Sequence, residues 1–373
     1  MWRGDPYGRT DGGRAGQGPA DDEHLGGRST ARARLKSPWY FKTLLILGCL
    51  LVVMSTGTLA LVYGLSSRYE GKVTRDNHIL DGVPQPRNAG DNGPLNYLVL
   101  GTDSRDPADS QGLDSTGTRS DTILLVHIAR GRNSAFVVSI PRDSYVDIPA
   151  GGSWKGGKNK INAALSFGGA NLAAKTVYEL TRVPLNGAMI VNFAGVENMV
   201  DAVGGVHVCP PYDVPNYFTS DFPQYNAGWK KGKCYDMKGE EAEVFLRQRH
   251  DVPGGDFGRM RSQQLVMQAL AQKATSAGII ANPLKLDRLL VTAAENLTVD
   301  KNLDLRSLAF QLKGISPGNI QYATAPHASI ENTSAGSSVI LDMTGCAELF
   351  KAVLDDDTGP WLAAHPQKDV PTY

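Results

Sequence analysis

Residues Leu44 to Leu65 read LLILGCLLVVMSTGTLALVYGL and carry no charged side chain. A helix needs roughly 20 such residues to cross a bilayer, and in hydrocarbon each backbone polar group must be paired within the segment, so one transmembrane helix over 43–65 is expected. A cleaved signal peptide would have a shorter apolar region followed by a small-residue cleavage site, and none follows here. On the N-terminal flank Arg28, Arg32, Arg34, Lys36 and Lys42 stand without a nearby acid, whereas Arg68, Lys72 and Arg75 alternate with Glu70 and Asp76. The positive-inside rule then makes the N-terminus cytoplasmic and everything after the span extracytoplasmic, a single-pass protein of the cell membrane.

Residues 1–42 are rich in Gly, Arg, Asp and Ser, with too few aliphatic side chains to build a core, and read as a disordered cytoplasmic tail. The 38 Lys and Arg balance the 38 Asp and Glu, so no whole-chain basic field exists to draw nucleic acid. Any anion recognition must be local. Export also changes the reading of the cysteines, because thiols outside the cytosol can pair. Cys49 lies in the span; Cys209 and Cys234 bracket a polar excursion rich in Pro, Tyr and Asp that looks unable to hold its own shape. A disulfide closing that loop is the first expectation, with Cys346 left as a buried thiol and no spacing of a zinc site.

Residues 66–94 contain Gly82, Pro84, Pro86, Gly90 and Gly93 with few aliphatics, and read as an extracytoplasmic linker. The folded domain is expected over 95–358, followed by a C-terminal tail over 359–373. Leu95–Gly101 is a short apolar run of strand type, and Asp121–Ala129 with Ser134–Ile140 form a hairpin through Arg130–Asn133. Helical spacing covers Asn171–Thr181, Phe193–Val203, Lys238–Leu246 and Gly258–Ser276, with strands at Ala188–Asn192 and Val206–Val208. Alternating strands and helices predict an α/β fold, a three-layer α-β-α sandwich around a mixed sheet. In it, Asp103 follows one strand, Asp121 begins another, and Arg142 and Asp143 follow its antiparallel partner, which gathers them at one sheet end.

Leu246 to Gln264 concentrates Arg247, Arg249, Arg259 and Arg261 around a Gly-Gly-Asp bend. A guanidinium stays charged and grips phosphate oxygens in a fork, so converging arginines suit a diphosphate. Arg259 and Gln263 share a helix face, while Arg247 and Arg249 share one only if the chain is extended there.

The pieces GTDSR, TRSDT, SIPRDS, KINAA, FLRQRH and DFGRMRSQQ, in this order behind one N-terminal span, resemble the LytR-CpsA-Psr family of membrane-anchored envelope proteins. The resemblance covers about 95–276 strongly and 284–356 loosely. It implies a phosphotransferase that moves a glycopolymer from a polyprenyl-pyrophosphate carrier onto a peptidoglycan hydroxyl through a phosphodiester. It also implies that Arg142, Arg247, Arg249 and Arg259 bind the pyrophosphate with Gln263 beside them, and that Lys160 and Asn162 either contact substrate or anchor their loop. Mg²⁺ is the implied cofactor, with Asp121 as ligand and Asp103 as second ligand or as base for the incoming hydroxyl. Asp143 is expected to tie its turn, Asp256 to cap a helix, and His250 to stand outside the catalytic set. One departure is visible: where the family commonly reads R-x-x-R-Q-Q, Ser262 replaces the second arginine, and Arg261 lies about 100° around the helix from it. The same residues would serve pyrophosphate hydrolysis, and a non-catalytic lipid-carrier binder or envelope regulator is the third reading. The helices Phe193–Val203 and Leu265–Ala274 are candidates for a tunnel holding the polyprenyl chain, or for ordinary core.

Overall fold

The computed structural model describes residues 72–86, 93–102, 120–274, 276–280, 282–304, 307–308 and 314–365. The expected tail and span at 1–65 lie outside these, as does Asp103; among the described residues no helix is long and apolar enough to cross a membrane.

A seven-stranded mixed sheet organises the domain. Its strands are β1 (Thr74–Asp76), β2 (Leu95–Thr102), β3 (Ser120–Ile128), β4 (Ala135–Ser139), β7 (Gly187–Asn192), β10 (Leu297–Asp300) and β11 (Ile320–Thr324), in the spatial order β1-β10-β7-β2-β3-β4-β11. β2 is central and nearly all of it is buried, which explains why it reads as a continuous apolar run rather than an alternating one. It pairs antiparallel with β3 and parallel with β7, and β3 returns antiparallel through β4, so the expected hairpin forms. The C-terminal ends of β2, β4 and β7 therefore meet the N-terminal end of β3 at one edge.

On one sheet face Leu98, Leu100, Ile123, Leu125, Phe136 and Val138 pack against α1 (Ala163–Thr181) and α7 (Met343–Leu354). Each such side chain contributes about 1.5–3 kcal/mol on burial. Helical spacing suggests a start at Asn171, but α1 runs from Ala163 with a break at Gly168–Gly169, where Gly169 takes φ +66°. The break makes room for the preceding loop: a Cβ on Gly152 would lie 2.2 Å from the Phe167 carbonyl oxygen. A second core joins α2 (Phe193–Ala202), α3 (Gly239–Arg247) and α4 (Asp256–Ala274) with the small hairpin β8 (Val206–Val208) and β9 (Tyr235–Met237). Two short elements, β5 (Tyr145–Ile148) and β6 (Gly157–Lys160), pair as a hairpin before α1.

Three expectations need correction. Residues 66–94 are not wholly a linker: β1 pairs parallel with β10, and Ile79, Leu80 and Val83 are buried in the main core. Residues 359–373 are not wholly a tail: α8 (Thr358–Ala364) puts Trp361 into the same core, edge-on to Phe136 at 6.4 Å. The buried His127 also holds this end, with Nε2 3.0 Å from the Asp356 carboxylate, and burial pushes its imidazole below the ordinary range against the pull of Asp356. Both segments look polar in sequence because only a few well-placed apolar side chains in each reach the core.

The third correction concerns the excursion from Cys209 to Cys234. The two cysteines are joined by a disulfide across a sequence separation of 25, as expected, and Cys346 is a buried free thiol that burial pushes up to about 12. The loop nevertheless has apolar anchors of its own: Trp229 is buried edge-on to Phe245, and Val214 exchanges backbone hydrogen bonds with it. Replacing both cysteines with serine is expected to cost about 3.5 kcal/mol in urea unfolding, the loop-closure value for this separation, with the fold retained. Unchanged stability relative to the oxidised parent would show that Trp229 and Val214 suffice.

Candidate active site

The sheet edge where β2, β4 and β7 end carries most of the predicted residues. Asp121 is the second residue of β3, and its carboxylate accepts a hydrogen bond from the Arg142 guanidinium. Arg142 sits in the turn after β4, fixed where the Ser144 amide and hydroxyl both donate to the Pro141 carbonyl. Its Nε lies 3.6 Å from Asp143, whose other oxygen takes the Lys160 ammonium at 3.1 Å. The Asn162 amide donates to the Arg142 carbonyl at 3.1 Å, and Ile161 to that of Ser144 at 2.8 Å. Lys160 and Asn162 thus brace the Arg142 turn, and Asp143 ties it as expected. These side chains are largely withdrawn from water, where an ion pair is screened less than on an open surface.

α4 is bolted over the same edge by consecutive glutamines. Thr122 donates its hydroxyl to Gln263 Oε1 at 2.8 Å, and Gln264 donates Nε2 to Ser139 Oγ at 2.8 Å. Thr122, Ser139 and Gln264 were not singled out from sequence, although Thr122 and Gln264 close two of the six motif pieces. Arg259 is buried one helical turn before Gln263, on the predicted shared face. Asp256 opens this helix. Ser262 is fully buried, and Arg261 turns elsewhere, 5.7 Å over the Tyr212 ring, so it does not take the place of the arginine the family pattern would put at 262.

Arg247 and Arg249 come from the end of α3 and the segment after it. Arg247 ends α3, where its guanidinium reaches Glu243 at 3.4 Å and lies 5.5 Å over the Phe218 ring. Gln248 is extended and fully buried, while Arg249 is exposed, so the two arginines face away from the residue between them. Arg247 itself is still helical, and the extended conformation begins at Gln248. The bend that follows uses left-handed Asp251, Gly254 and Gly255. Near Arg247, burial raises the Glu197 carboxyl above its usual range, helped by the neighbouring Glu243.

Between the sheet and α4 lies a cavity of about 390 Å³. Asp121, Thr122, Ser139, Gln263, Gln264 and Tyr322 are its polar members; Val99, Leu124, Val126 and Val137 of the sheet and Met199, Met267 and Ala271 of the helices line it. Its lining draws on both helices named as tunnel candidates. Tyr322, also in the wall, is held by burial at about 12 and stays a neutral phenol. Among the described residues, the one group of three or more His, Cys, Asp or Glu side chains close enough to share a metal is His207 with Cys209 and Cys234, and its cysteines are already joined to each other. Asp121 offers a single hard carboxylate in the cavity lining. That fits an ion such as Mg²⁺, which keeps waters and relies on one or two carboxylates plus substrate phosphate, rather than an all-protein cage.

The domain is an α/β fold whose sheet edge carries the Asp121–Arg142 pair beside an apolar cavity. The LytR_cpsA_psr family model matches residues 62–352, and the chain belongs to that family. It is 32% identical over 320 residues to the probable cell wall biosynthesis protein LcpB of Corynebacterium glutamicum, covering 84% of this chain and 72% of that protein. It is 37% identical over 214 residues to the polyisoprenyl-teichoic acid–peptidoglycan teichoic acid transferase TagU of Bacillus cereus, covering 57% of this chain and 64% of the relative, so it spans less than two thirds of that protein's length. Among solved structures, TagT bound to LI-WTA superposes with a TM-score of 0.55 at 25% identity, over 71% of this chain and 90% of the other.

Proposed function

We propose that this protein is a membrane-anchored, extracytoplasmic transferase that moves a glycopolymer from a polyprenyl-pyrophosphate carrier to a peptidoglycan hydroxyl. The observation that carries the reading is Asp121, which pairs with Arg142 and also lines an apolar cavity. A polyprenyl pyrophosphate, a charged head on a greasy chain, suits that combination. The relative named as a teichoic acid transferase and the neighbour bound to LI-WTA support a cell-wall glycopolymer as cargo.

In this reading the acceptor oxygen attacks the phosphorus that bears the glycan. The bond from that phosphorus to the bridging oxygen breaks, polyprenyl phosphate leaves, and the hydroxyl proton passes to a base, the role open to Asp103. Arg142 and the buried Arg259 hold the diphosphate oxygens in a site of low dielectric, where fixed charges stabilise developing negative charge most. Gln263 orients from the helix, and Lys160 with Asn162 keeps Arg142 in place. Arg247 and Arg249 extend the positive surface toward the glycan. Asp121 would hold Mg²⁺, whose contribution is to neutralise phosphate charge.

The test is product analysis. The full-length protein in detergent is incubated with a glycosylated polyprenyl pyrophosphate, Mg²⁺ and peptidoglycan. Glycan linked to the acceptor is the expected result; free polyprenyl phosphate without linkage would favour hydrolysis, and no release of carrier at all would favour a binder or regulator.

A further inference from the structure

We propose that Tyr217, backed by His250, is a stacking platform for a pyranose ring of the glycan handled at this site. The inference rests on the transferase reading and names the group that recognises the sugar beside the phosphates. Tyr217 is one of few large apolar side chains left exposed, at 57%, among the described residues. One ring face lies on the His250 imidazole, with centroids 4.0 Å apart and planes 25° from parallel; the exposure falls on the other.

An exposed aromatic on a loose loop would be a poor platform, and this one is pinned. Its amide donates to the Oε1 of buried Gln248 at 2.9 Å. The Gln248 amide reaches Asn216 Oδ1 at 3.3 Å, and that oxygen also accepts from the Phe218 amide at 2.9 Å. Phe218 in turn lies under the Arg247 guanidinium. Three successive residues of the disulfide-closed loop are thereby fastened to the segment Arg247–His250, which carries two of the predicted phosphate-binding arginines. Nearby, Tyr212 donates its hydroxyl to the Gly258 carbonyl at 2.7 Å, tying the loop to the turn that bears Arg259.

The chemistry suits a sugar. The electron-rich face of an aromatic ring attracts the weakly positive C–H groups on the apolar face of a pyranose, and a rigid tyrosine loses little conformational freedom on contact. One ring is far too small to make a protein interface, whose specific examples bury hundreds of Å² per partner. The ring stacks on His250, the residue after Arg249, so the platform and this arginine belong to one segment. The sugar belongs either to the donor, nearest the diphosphate, or to the acceptor strand.

The experiment measures binding to the full-length protein in detergent of three probes: a polyprenyl pyrophosphate without sugar, the same carrier with its glycan, and a soluble N-acetylhexosamine disaccharide of peptidoglycan type. Wild type is compared with Tyr217→Ala and Tyr217→Phe, with near-UV circular dichroism as a check on the loop. Tyr217→Ala is expected to weaken a sugar-bearing probe about tenfold and the sugar-free carrier less than twofold, with Tyr217→Phe close to wild type. Loss on the glycosylated carrier alone identifies the donor sugar, and loss on the disaccharide alone the acceptor. Equal loss on all probes, or none, overturns the platform. Wild-type protein that fails to bind even the sugar-free carrier overturns the transferase reading beneath it, a distinguishable result.

Discussion

Arg142→Ala is expected to lower turnover of the glycosylated carrier by about 10²–10³-fold, the loss seen when one preorganised electrostatic contact to a transition state is removed. The magnitude follows from position. Arg142 is held at both ends, by the Pro141–Ser144 turn and by the Lys160–Asn162 brace, so it loses little freedom when a phosphate replaces its present partner. That partner is Asp121. Substrate and carboxylate therefore compete for one guanidinium, unless Asp121 turns to a cation when the diphosphate arrives. This exchange makes a further demand on the measurement. Asp121→Asn removes the competitor and the proposed ion ligand together, so if the ion is needed, turnover falls and added Mg²⁺ does not restore it. If Asp121 serves only to neutralise Arg142, Asp121→Asn binds sugar-free carrier more tightly and retains turnover. Arg142→Lys separates charge from geometry, since an ammonium keeps the charge and loses the planar fork. The single changes also leave a partner poorly compensated in a mostly buried setting, costing about 1–3 kcal/mol of stability. Unfolding curves on each variant keep that cost apart from catalysis. Turnover of Arg142→Ala within threefold of wild type would remove this arginine from the chemistry.

Much of this site was legible because its chemistry is local in sequence. Asp121 and Arg142 lie at opposite ends of a hairpin whose alternation and turn are plain in the chain, so pairing geometry alone brings them together. Gln263 needed only helical spacing to share a face with Arg259. Arg247 and Arg249 were harder: Gln248 between them is extended and buried, which depends on a loop more than 30 residues upstream. The brace from Lys160 was open between two uses because the β5–β6 hairpin that returns it to Asp143 has a Gly-rich sequence with no strand signature. The edge strand β1 and the helix around Trp361 were missed for a related reason. Each is short, and its place is decided by partners hundreds of residues away. The cavity could not be told from core at all, since a void and a filled interior ask for the same apolar residues.

That ambiguity is what Ala271→Phe resolves. Gln263, Met267 and Ala271 lie four residues apart on one face of α4, so Ala271 is about 12 Å along the helix from the polar end. A phenylalanine there fills the part of the cavity around residue 271 and leaves the Asp121–Arg142 edge untouched. If the space holds a polyprenyl chain, the catalytic efficiency on a long-chain carrier falls at least about tenfold, the scale set by a few buried methylenes, while a carrier of two isoprene units that ends short of residue 271 is turned over within about twofold of wild type. Thermal stability should hold or rise, because added apolar volume goes into a void and not into packed side chains. An ordinary core responds in the opposite way: overpacking costs about 1–3 kcal/mol, and activity on long and short carriers declines together. Four of the eight methionines line this space, namely Met189, Met199, Met260 and Met267. Their unbranched, polarizable side chains can repack around a flexible isoprenoid, whereas a rigid aromatic wall would fix one chain shape. Chain-length dependence that appears in Ala271→Phe and is absent from wild type is therefore the decisive signature, since a general loss of folding cannot produce it.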